Sequence, residues 1–338
     1  MKERPEPSLS VVVPAHRAGE PLRQCLAILA RTSPSPDEVI VVADGPAEGV
    51  GRLAEEFGFR LIRNPVAGGP ARARNIGARE ARGDLLFFVD SDVAIAPDTI
   101  ARVKDEFVRG PGLSAAFGSY DDRPAAANFL SQYRNLFHHY VHQTSSEDAS
   151  TFWGACGAVR REVFAGLGGF NEAYRRPCIE DIEFGYRMKR AGHRIRLVKT
   201  LQCKHLKRWN ALSLLKSDII DRALPWTELI LRDRSLINDL NLRHSNRLST
   251  VLVFAFVVLL FLFAVFLRPA ILWAAAALFA AFFALNFRLY RFLFHRRGFW
   301  FMMMAVPWHC IYYVCCGAAF AVGLVRTVLV KSPAMPGK

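Results

Sequence analysis

Gly83-Asp84-Leu85-Leu86-Phe87-Phe88-Val89-Asp90-Ser91-Asp92 joins a short apolar run to two carboxylates. The run is too brief for a helix and rich in β-forming residues, so it predicts a buried central strand. In open α/β sheets ligands bind beyond the carboxyl ends of strands, which is where Asp90 and Asp92 stand. Mg²⁺ or Mn²⁺ suits such a place, because these ions bind one or two carboxylates together with substrate phosphates. Asp and Ser are also common turn residues, so a plain turn is the alternative.

The segments before this stretch predict alternating strands and helices. Strands at 9–13, 38–43 and 60–63 alternate with helices at 22–31 and 47–57. This order is typical of a parallel sheet with right-handed crossovers. No Gly-x-Gly-x-x-Gly follows the first strand, so a dinucleotide-binding fingerprint is missing.

A glycine-rich helix start leads into the acidic strand. Gly68-Gly69-Pro70 opens a helix that carries Arg72 and Arg74 in its first turns. The free amides and positive end of such a helix favour an anion. A capped surface helix with exposed arginines is the alternative interpretation.

Charge and hydropathy divide the chain. Its 338 residues carry a net charge of +14, yet all 30 Asp and Glu precede Ser249. Runs at 250–267 and 270–287 are long enough to cross most of a bilayer at about 1.5 Å per residue, and 299–325 is either a kinked span or a re-entrant helix pair. The basic loop predicted at 288–297 indicates a cytoplasmic side, so we expect a multi-pass inner-membrane protein whose first domain lies on the cytoplasmic face. The basic balance favours anionic lipid or phosphate as a partner, and no nucleic acid is expected.

Three regions are therefore predicted: an α/β domain at 1–209, an amphipathic interfacial region at 210–248 and a membrane region at 249–330. Apolar residues at helical spacing from Leu212 to Leu224 favour a helix at the membrane surface, with packing on the first domain as the alternative. Seven cysteines without Cys-x-x-Cys predict a reducing compartment, no disulfide and no zinc site. The first residues lack the apolar core of a signal peptide.

Other candidate residues follow the acidic strand. A helix over 128–142 carries His138, His139 and His142, for which a lining or packing role is favoured over metal binding. A helix begins at Glu180-Asp181, where the helix dipole alone would favour carboxylates. A strand at 194–198 is followed by His205, either a metal ligand or an ordinary core or surface histidine.

An ordered set of motifs resembles the family 2 glycosyltransferases, which have a GT-A fold, a Rossmann-like and mostly parallel α/β sheet. The motifs are Pro14, Asp44-Gly45, the Gly-x-x-x-Ala-Arg-Asn-x-Gly helix at 69–77, Asp90-Ser91-Asp92, Phe152-Trp153-Gly154-Ala155, Arg160-Arg161, Gly168-Gly169-Phe170 and Glu180-Asp181. The resemblance spans residues 8–210. Two motifs depart from the family pattern. Ala15-His16-Arg17 stands where Asn-Glu is usual, and Ala43-Asp44-Gly45-Pro46 stands where Asp-Asp-Gly-Ser is usual. The nucleotide base and the sugar are therefore not specified.

The resemblance implies an inverting glycosyltransferase that uses a nucleotide diphosphate sugar, with a UDP-sugar favoured, and Mg²⁺ or Mn²⁺. Asp181 would be the catalytic base, with Glu180 beside it. The metal ligands would be Asp92, Asp90 and, as in several GT-A enzymes, His205. The nucleotide sugar would lie against Pro14, Ala15, Arg17, Asp44, Gly69, Arg74, Asp90 and Ser91. The acceptor would contact Trp153, Gly154, Arg208 and Trp209.

The membrane region predicts a lipid or lipid-linked acceptor, in glycolipid or polysaccharide biosynthesis. A hydroxyl acceptor needs a base, whereas a polyprenyl phosphate is already anionic, so the Glu180-Asp181 pair favours the hydroxyl. His205-x-x-Arg208-Trp209 is similar to the Gln-x-x-Arg-Trp motif of processive synthases, but its Gln is replaced.

Two other classes stay open. A catalytically silent nucleotide-binding membrane scaffold is one alternative. Such a scaffold would need neither the Asp90-Ser91-Asp92 motif nor the Glu180-Asp181 pair nor His205. A sugar nucleotidyltransferase would be expected to carry a Gly-rich phosphate loop after the first strand, where this chain has Pro14-Ala15-His16-Arg17.

Overall fold

The computed structural model describes residues 6–233 and 242–329, and the chain divides after Arg208 into two compact units. The predicted end of the α/β domain, at residue 209, lies one residue from this division. Parts of two predictions, the interfacial region at 234–241 and the last residue of the membrane region, lie outside the described residues.

The first unit is built on an eight-stranded sheet with the order β3-β2-β1-β4-β7-β6-β8-β5. The strands are β1 Leu9–Ala15, β2 Glu38–Asp44, β3 Arg60–Asn64, β4 Leu85–Val89, β5 Val93–Ile95, β6 Ala115–Tyr120, β7 Cys156–Arg160 and β8 Ile195–His205.

The first half of the sheet is parallel and the second half is mixed. Val12 of β1 pairs with Ile40 of β2 and with Phe88 of β4, both in parallel register. Strand β7 runs antiparallel to β4 and β6, and β5 runs antiparallel to β8. The predicted α/β fold is confirmed, and its parallel part is β1 to β4 together with the β6–β8 pair.

Helices of the first unit cover both faces of the sheet. They are α1 Glu20–Leu29, α2 Glu48–Glu56, α3 Pro70–Glu80, α4 Thr99–Arg109, α5 Phe129–Thr144, α6 Arg161–Gly166 and α7 Glu180–Arg190. Strands β1 and β4 are buried along their whole length. Two hydrophobic clusters, one on each side, therefore bury the central strands as in a doubly covered sheet.

Strands β5, β6 and β7 are absent from the sequence prediction, and β8 runs to His205 and not to residue 198. β6 and β7 contain glycines and alanines where neighbouring backbone comes close. A Cβ on Gly118 would lie 2.2 Å from the Leu201 carbonyl oxygen, and one on Gly157 would lie 2.3 Å from that of Trp153. Such small residues allow the neighbouring backbone to come close, but they are poor β-formers, so the sequence does not indicate a strand there.

The second unit is helical. Its elements are α8 Ala211–Lys216, a π-helical segment Ser217–Ala223, α9 Leu224–Asp233, α10 His244–Phe266, α11 Pro269–Leu285, α12 Phe287–Arg297 and α13 Phe299–Leu329. Pro225 is the second residue of α9, which follows directly on the π-helical segment and continues to Asp233, beyond the predicted helix end at Leu224.

One prediction about the membrane region is wrong. Residues 288–297 form helix α12 and not a loop, because Leu289, Tyr290 and Leu293 give it one buried face. The third run is one helix through Pro307, which agrees with the single-span alternative and not with the re-entrant pair. The bent pair among the described residues is α11 and α12, which meet at 67°.

Helices α10 and α11 pack together, and α13 packs on α10 and α12. Polar pairs join them inside the unit: Asn286 donates to Ser249 Oγ at 2.9 Å, and the Tyr313 hydroxyl donates to Asn246 Oδ1 at 3.1 Å. Two helices among the described residues, His244–Phe266 and Phe299–Arg326, are long and apolar enough to cross a membrane, or three if the bent pair counts as one span.

Candidate active site

The acidic motif lies in a tight turn at the end of β4. The Asp90 N–H donates to the Ala155 carbonyl at 3.2 Å, and the Asp90 carbonyl accepts from the Val93 N–H at 3.0 Å. Ser91 is half-buried within this turn. The turn therefore delivers the chain into β5 and fixes both carboxylates at the strand end where sequence reasoning placed them.

The pairing of β5 with β8 brings Asp92 and His205 together. Val93 pairs with His205, and the Leu206 N–H donates to the Asp92 carbonyl at 2.8 Å. His205 Nε2 lies 3.8 Å from Asp92 Oδ2. Burial alone would raise the pKa of Asp92, but the His205 imidazole, the Lys207 charge and a backbone N–H together lower it below its usual value. His205 is thus the last residue of β8, whereas the predicted strand ended at residue 198.

Arg74 connects the two acidic motifs. Its side chain is only 5% exposed, and its Nη2 donates to Asp90 Oδ1 at 2.6 Å while Nη1 donates to Glu180 Oε1 at 2.8 Å. Burial alone would lower the pKa of this guanidinium, but the negative charges of Asp90 and Glu180 raise it by more than burial lowers it. Arg74 therefore stays charged. Sequence reasoning assigned Arg74 to the diphosphate and did not foresee this bridge.

Glu180 and Asp181 occupy the first turn of α7. The Asp181 carboxylate accepts from the Gly154 N–H at 3.0 Å and from the Ile182 N–H at 2.8 Å. Glu180 Oε2 accepts from the Cys178 N–H at 2.9 Å. Burial and then the nearby Glu180 charge raise the pKa of Asp181 to about 7, against the opposing effect of these N–H groups and of Arg74. A carboxyl group with such a pKa can take up a proton near neutral pH.

Several motif residues hold this helix in place. The Asn75 side chain accepts from the Phe170 N–H and donates to the Phe170 carbonyl, both at 2.8 Å. The Arg187 guanidinium donates to the Leu167 and Gly169 carbonyls at 2.6 Å. The Gly-Gly-Phe segment is therefore tied to α3 on one side and to α7 on the other.

An aromatic cluster lies beside His205. The Tyr120 ring stacks on His205 with centroids 4.3 Å apart and packs edge-on against Trp153 at 4.8 Å. His138 and His142 lie 5.3 Å from the Trp153 ring, and His139 bonds the Tyr120 carbonyl at 2.7 Å. These contacts agree with the predicted lining or packing role of the α5 histidines. Tyr120 was missed, because β6 gives little sequence signal.

The remaining residues predicted to contact the donor lie near the ends of β1 and β2 and at the start of α3. The Asp44 carboxylate accepts from the Asn64 side chain at 2.7 Å and from the N–H groups of Gly68 and Gly69 at 2.9 and 2.8 Å. Gly69 has φ of 87°, and a Cβ there would lie 2.4 Å from the Arg175 carbonyl oxygen. Asp44 thus holds the first residues of α3 in place through these hydrogen bonds. Its role in binding the nucleotide stays a prediction.

The remaining predicted residues are not all brought together. Pro14 and Ala15 are buried in β1, whereas Arg17 and Arg208 are exposed. Trp209 belongs to the second unit. Gly154 is buried, and a Cβ on it would lie 3.4 Å from the Arg74 Cζ. The structure therefore joins Trp153 and Gly154 to the Asp90, Arg74 and Asp181 site within the first unit.

The donor atoms here suit a divalent cation. Asp92 Oδ2 and His205 Nε2 offer a carboxylate oxygen and an imidazole nitrogen, which Mn²⁺ accepts. Asp90 uses Oδ1 for Arg74. Within residues 6–233 and 242–329, no group of three or more His, Cys, Asp or Glu side chains is arranged to hold a metal ion. The residues fit a cation whose remaining ligands come from substrate phosphates and water.

The mixed eight-stranded α/β sheet of the first unit has a GT-A type fold. The fold resembles that of the mannosyltransferase PcManGT from Pyrobaculum calidifontis, solved in complex with GDP-Man and Mn²⁺. The TM-score is 0.59 at 17% identity, and the match covers 94% of this chain and 87% of that one.

The sequence comparisons point to one family of relatives. Residues 10–168 match the model of glycosyl transferase family 2. An uncharacterised glycosyltransferase of Haemophilus influenzae is 27% identical over 185 residues, which is 52% of this chain and 60% of the relative. The probable glycosyltransferase YdaM of Bacillus subtilis is 26% identical over 213 residues, which is 58% of this chain and 49% of the relative. Through residues 10–168 of its first unit, the chain is similar to glycosyl transferase family 2. It spans at most 60% of the length of these two curated relatives.

Proposed function

We propose that the chain transfers a sugar, with inversion, from a nucleotide diphosphate sugar to a hydroxyl group of a membrane lipid or lipid-linked acceptor. The observation that carries this proposal is Asp181, whose pKa is raised to about 7 and which lies beside the buried Arg74–Asp90 bridge. A base is useful to a hydroxyl nucleophile and unnecessary to a phosphate nucleophile.

In the proposed reaction Asp181 accepts the proton of the acceptor hydroxyl as its oxygen attacks the anomeric carbon. The new carbon–oxygen bond forms on the face opposite the leaving group. The bond between the anomeric carbon and the diphosphate oxygen breaks, and the nucleoside diphosphate leaves with that electron pair. One displacement inverts the anomeric centre, and no covalent enzyme intermediate is needed.

The chain's residues would have separate tasks. The N–H groups of Gly154 and Ile182 hold the Asp181 carboxylate, and Arg74 donates hydrogen bonds to both Asp90 and Glu180. Asp92, His205 and the second oxygen of Asp90 would hold Mg²⁺ or Mn²⁺. When bound, that cation would neutralise charge on the departing diphosphate. Trp153 offers an aromatic face to a sugar ring.

The proposed location is the cytoplasmic face of the inner membrane. Its support is the pair of apolar helices α10 and α13 and the basic helix α12 between the second and third apolar segments. A membrane-bound enzyme would meet lipid acceptors without their leaving the bilayer.

The test is turnover of a panel of UDP- and GDP-sugars by the purified full-length chain in detergent, with and without total membrane lipid. We expect metal-dependent release of one nucleotide, stimulated by lipid. GDP-mannose belongs in the panel because PcManGT was solved with it. A product that carries the sugar on a hydroxyl group would support the proposal. A product that carries it on a polyprenyl phosphate would contradict the proposed hydroxyl acceptor.

Other outcomes would favour other classes of protein. Binding of a nucleotide without any turnover would favour the scaffold, and pyrophosphate-dependent exchange would favour a nucleotidyltransferase.

The pH dependence tests the base. Asp181 takes a proton only as the carboxylate, so we expect kcat/KM to fall as pH drops below about 7. Glu180→Gln removes the charge that raises this pKa, so its acid limb should move to lower pH, as measured by profiles between about pH 5 and pH 9. The exposed Glu55→Gln should leave the limb in place. If the acid limb of the pH profile stays in place in Glu180→Gln, the Glu180 charge does not raise the pKa of Asp181.

A further inference from the structure

A basic stripe, defined by Arg288, Arg291 and His295, runs along the outward face of α12. At 3.6 residues per turn these positions lie within about 60° of one another around the helix axis. All three side chains are exposed. The opposite face, with Leu289, Tyr290 and Leu293, is buried, and α12 packs against α13. The stripe therefore faces away from the helix bundle.

No carboxylate offsets this positive charge nearby in sequence. All Asp and Glu precede Ser249, while Arg296 and Arg297 extend the charge at the end of α12. Neither Arg288 nor Arg291 makes an ion pair with a carboxylate within the part of the chain that the structure describes. Two unpaired guanidinium groups on one line can accept phosphate oxygens.

Exposed aromatic side chains flank the stripe. Phe287 and Phe294 on α12 are 51% and 43% exposed, and Phe299 and Trp300 at the start of α13 are 51% and 77% exposed. The bend of 67° takes α12 out of the direction of the apolar α11. Aromatic rings beside arginines on a helix that turns away from an apolar segment are typical of the boundary between headgroups and acyl chains.

We propose that the α12 stripe binds the phosphate headgroups of anionic bilayer lipids while the flanking rings enter the acyl-chain boundary. The arginines would lie at the level of the lipid phosphates, whose charge is opposite to theirs. The aromatic rings would lie in the apolar layer below the phosphates. This binding requires no sugar transfer, so its failure and the failure of the proposed enzymatic function are separate results.

The experiment measures the lipid that the purified full-length chain retains. The protein is equilibrated in mixed micelles with equal phosphatidylglycerol and phosphatidylcholine, separated by gel filtration, and its bound lipids are quantified by mass spectrometry. We expect roughly threefold more phosphatidylglycerol than phosphatidylcholine at low salt, and a smaller preference at high salt. Absence of any preference in the wild type would overturn the proposal.

Variants locate the binding. Arg288→Gln with Arg291→Gln should lose about half or more of the retained phosphatidylglycerol without changing phosphatidylcholine, and Arg288→Lys with Arg291→Lys should keep it. The matched control, Arg31→Gln with Arg82→Gln, removes two exposed charges from the first unit and should retain the wild-type amount. Equal retention by both Gln pairs would overturn the assignment to α12. If the α12 Gln pair does not fold, the Lys pair and the salt dependence decide, because a preference lost in the Lys pair contradicts binding by charge.

Discussion

Replacing Asp181 by Asn is expected to lower kcat by about 10²- to 10⁴-fold, the usual contribution of a positioned general base. The amide cannot take the acceptor proton, yet it has nearly the same shape as the carboxylate. Its oxygen can still accept from the Gly154 N–H, which bonds Asp181 at 3.0 Å in the structure. We therefore expect the loss in kcat and little change in the affinity for the nucleotide, measured by turnover and by calorimetric titration of the nucleoside diphosphate.

The matched control is Asp98→Asn, since that side chain is 63% exposed. It should retain wild-type turnover. An Asp181→Asn variant with wild-type kcat would contradict the assignment of the base. A variant that loses nucleotide binding as well would show that Asp181 supports the donor site and not the acceptor proton.

The parts of the fold that could be predicted are those with local sequence signals. β1 to β4 and α1 to α3 have apolar patterns and turn residues within a few positions, so their existence and order were correct. Asp90, Asp92 and Asp181 could also be placed at a strand end and a helix start, because those positions depend on neighbouring residues alone.

The contacts between these elements could not be predicted in the same way. His205 meets Asp92 only because the three-residue strand β5 pairs with the end of β8, and β5 has too few residues to give a pattern. The Arg74 bonds to Asp90 and Glu180 span 16 and 106 positions. One sequence carries no local trace of such long-range pairing, so Arg74 was assigned to the diphosphate from its helix position alone.

The Arg74 bridge also has a physical consequence for the proposed base. Its positive charge lowers the pKa of Asp181, while Glu180 and burial raise it. The same guanidinium bonds Asp90 at the proposed metal site. The proposed donor and acceptor sides of the site therefore share one buried cation, which couples the charge of one side to the other.

Asp92→Asn is expected to weaken Mn²⁺ binding and to reduce turnover by roughly 100-fold or more, because a metal at a departing diphosphate supplies several kcal/mol and about 1.4 kcal/mol is tenfold. The amide keeps the shape of the turn but removes the charge that faces His205 Nε2 at 3.8 Å. Mn²⁺ affinity can be measured by electron paramagnetic resonance on the full chain with nucleoside diphosphate present. Excess metal should restore part of the activity.

The control for this variant is Glu147→Gln, whose side chain is 53% exposed. It should bind Mn²⁺ as the wild type does. Unchanged Mn²⁺ affinity and turnover in Asp92→Asn would contradict the proposed ligand set. If Asp92→Asn loses turnover while its Mn²⁺ affinity is unchanged, Asp92 is not a metal ligand. Its carboxylate would then act on the donor and not on the cation. Asp92 and Asp181 are thus distinguishable by their readouts: the first should change metal affinity, and the second should change only the rate.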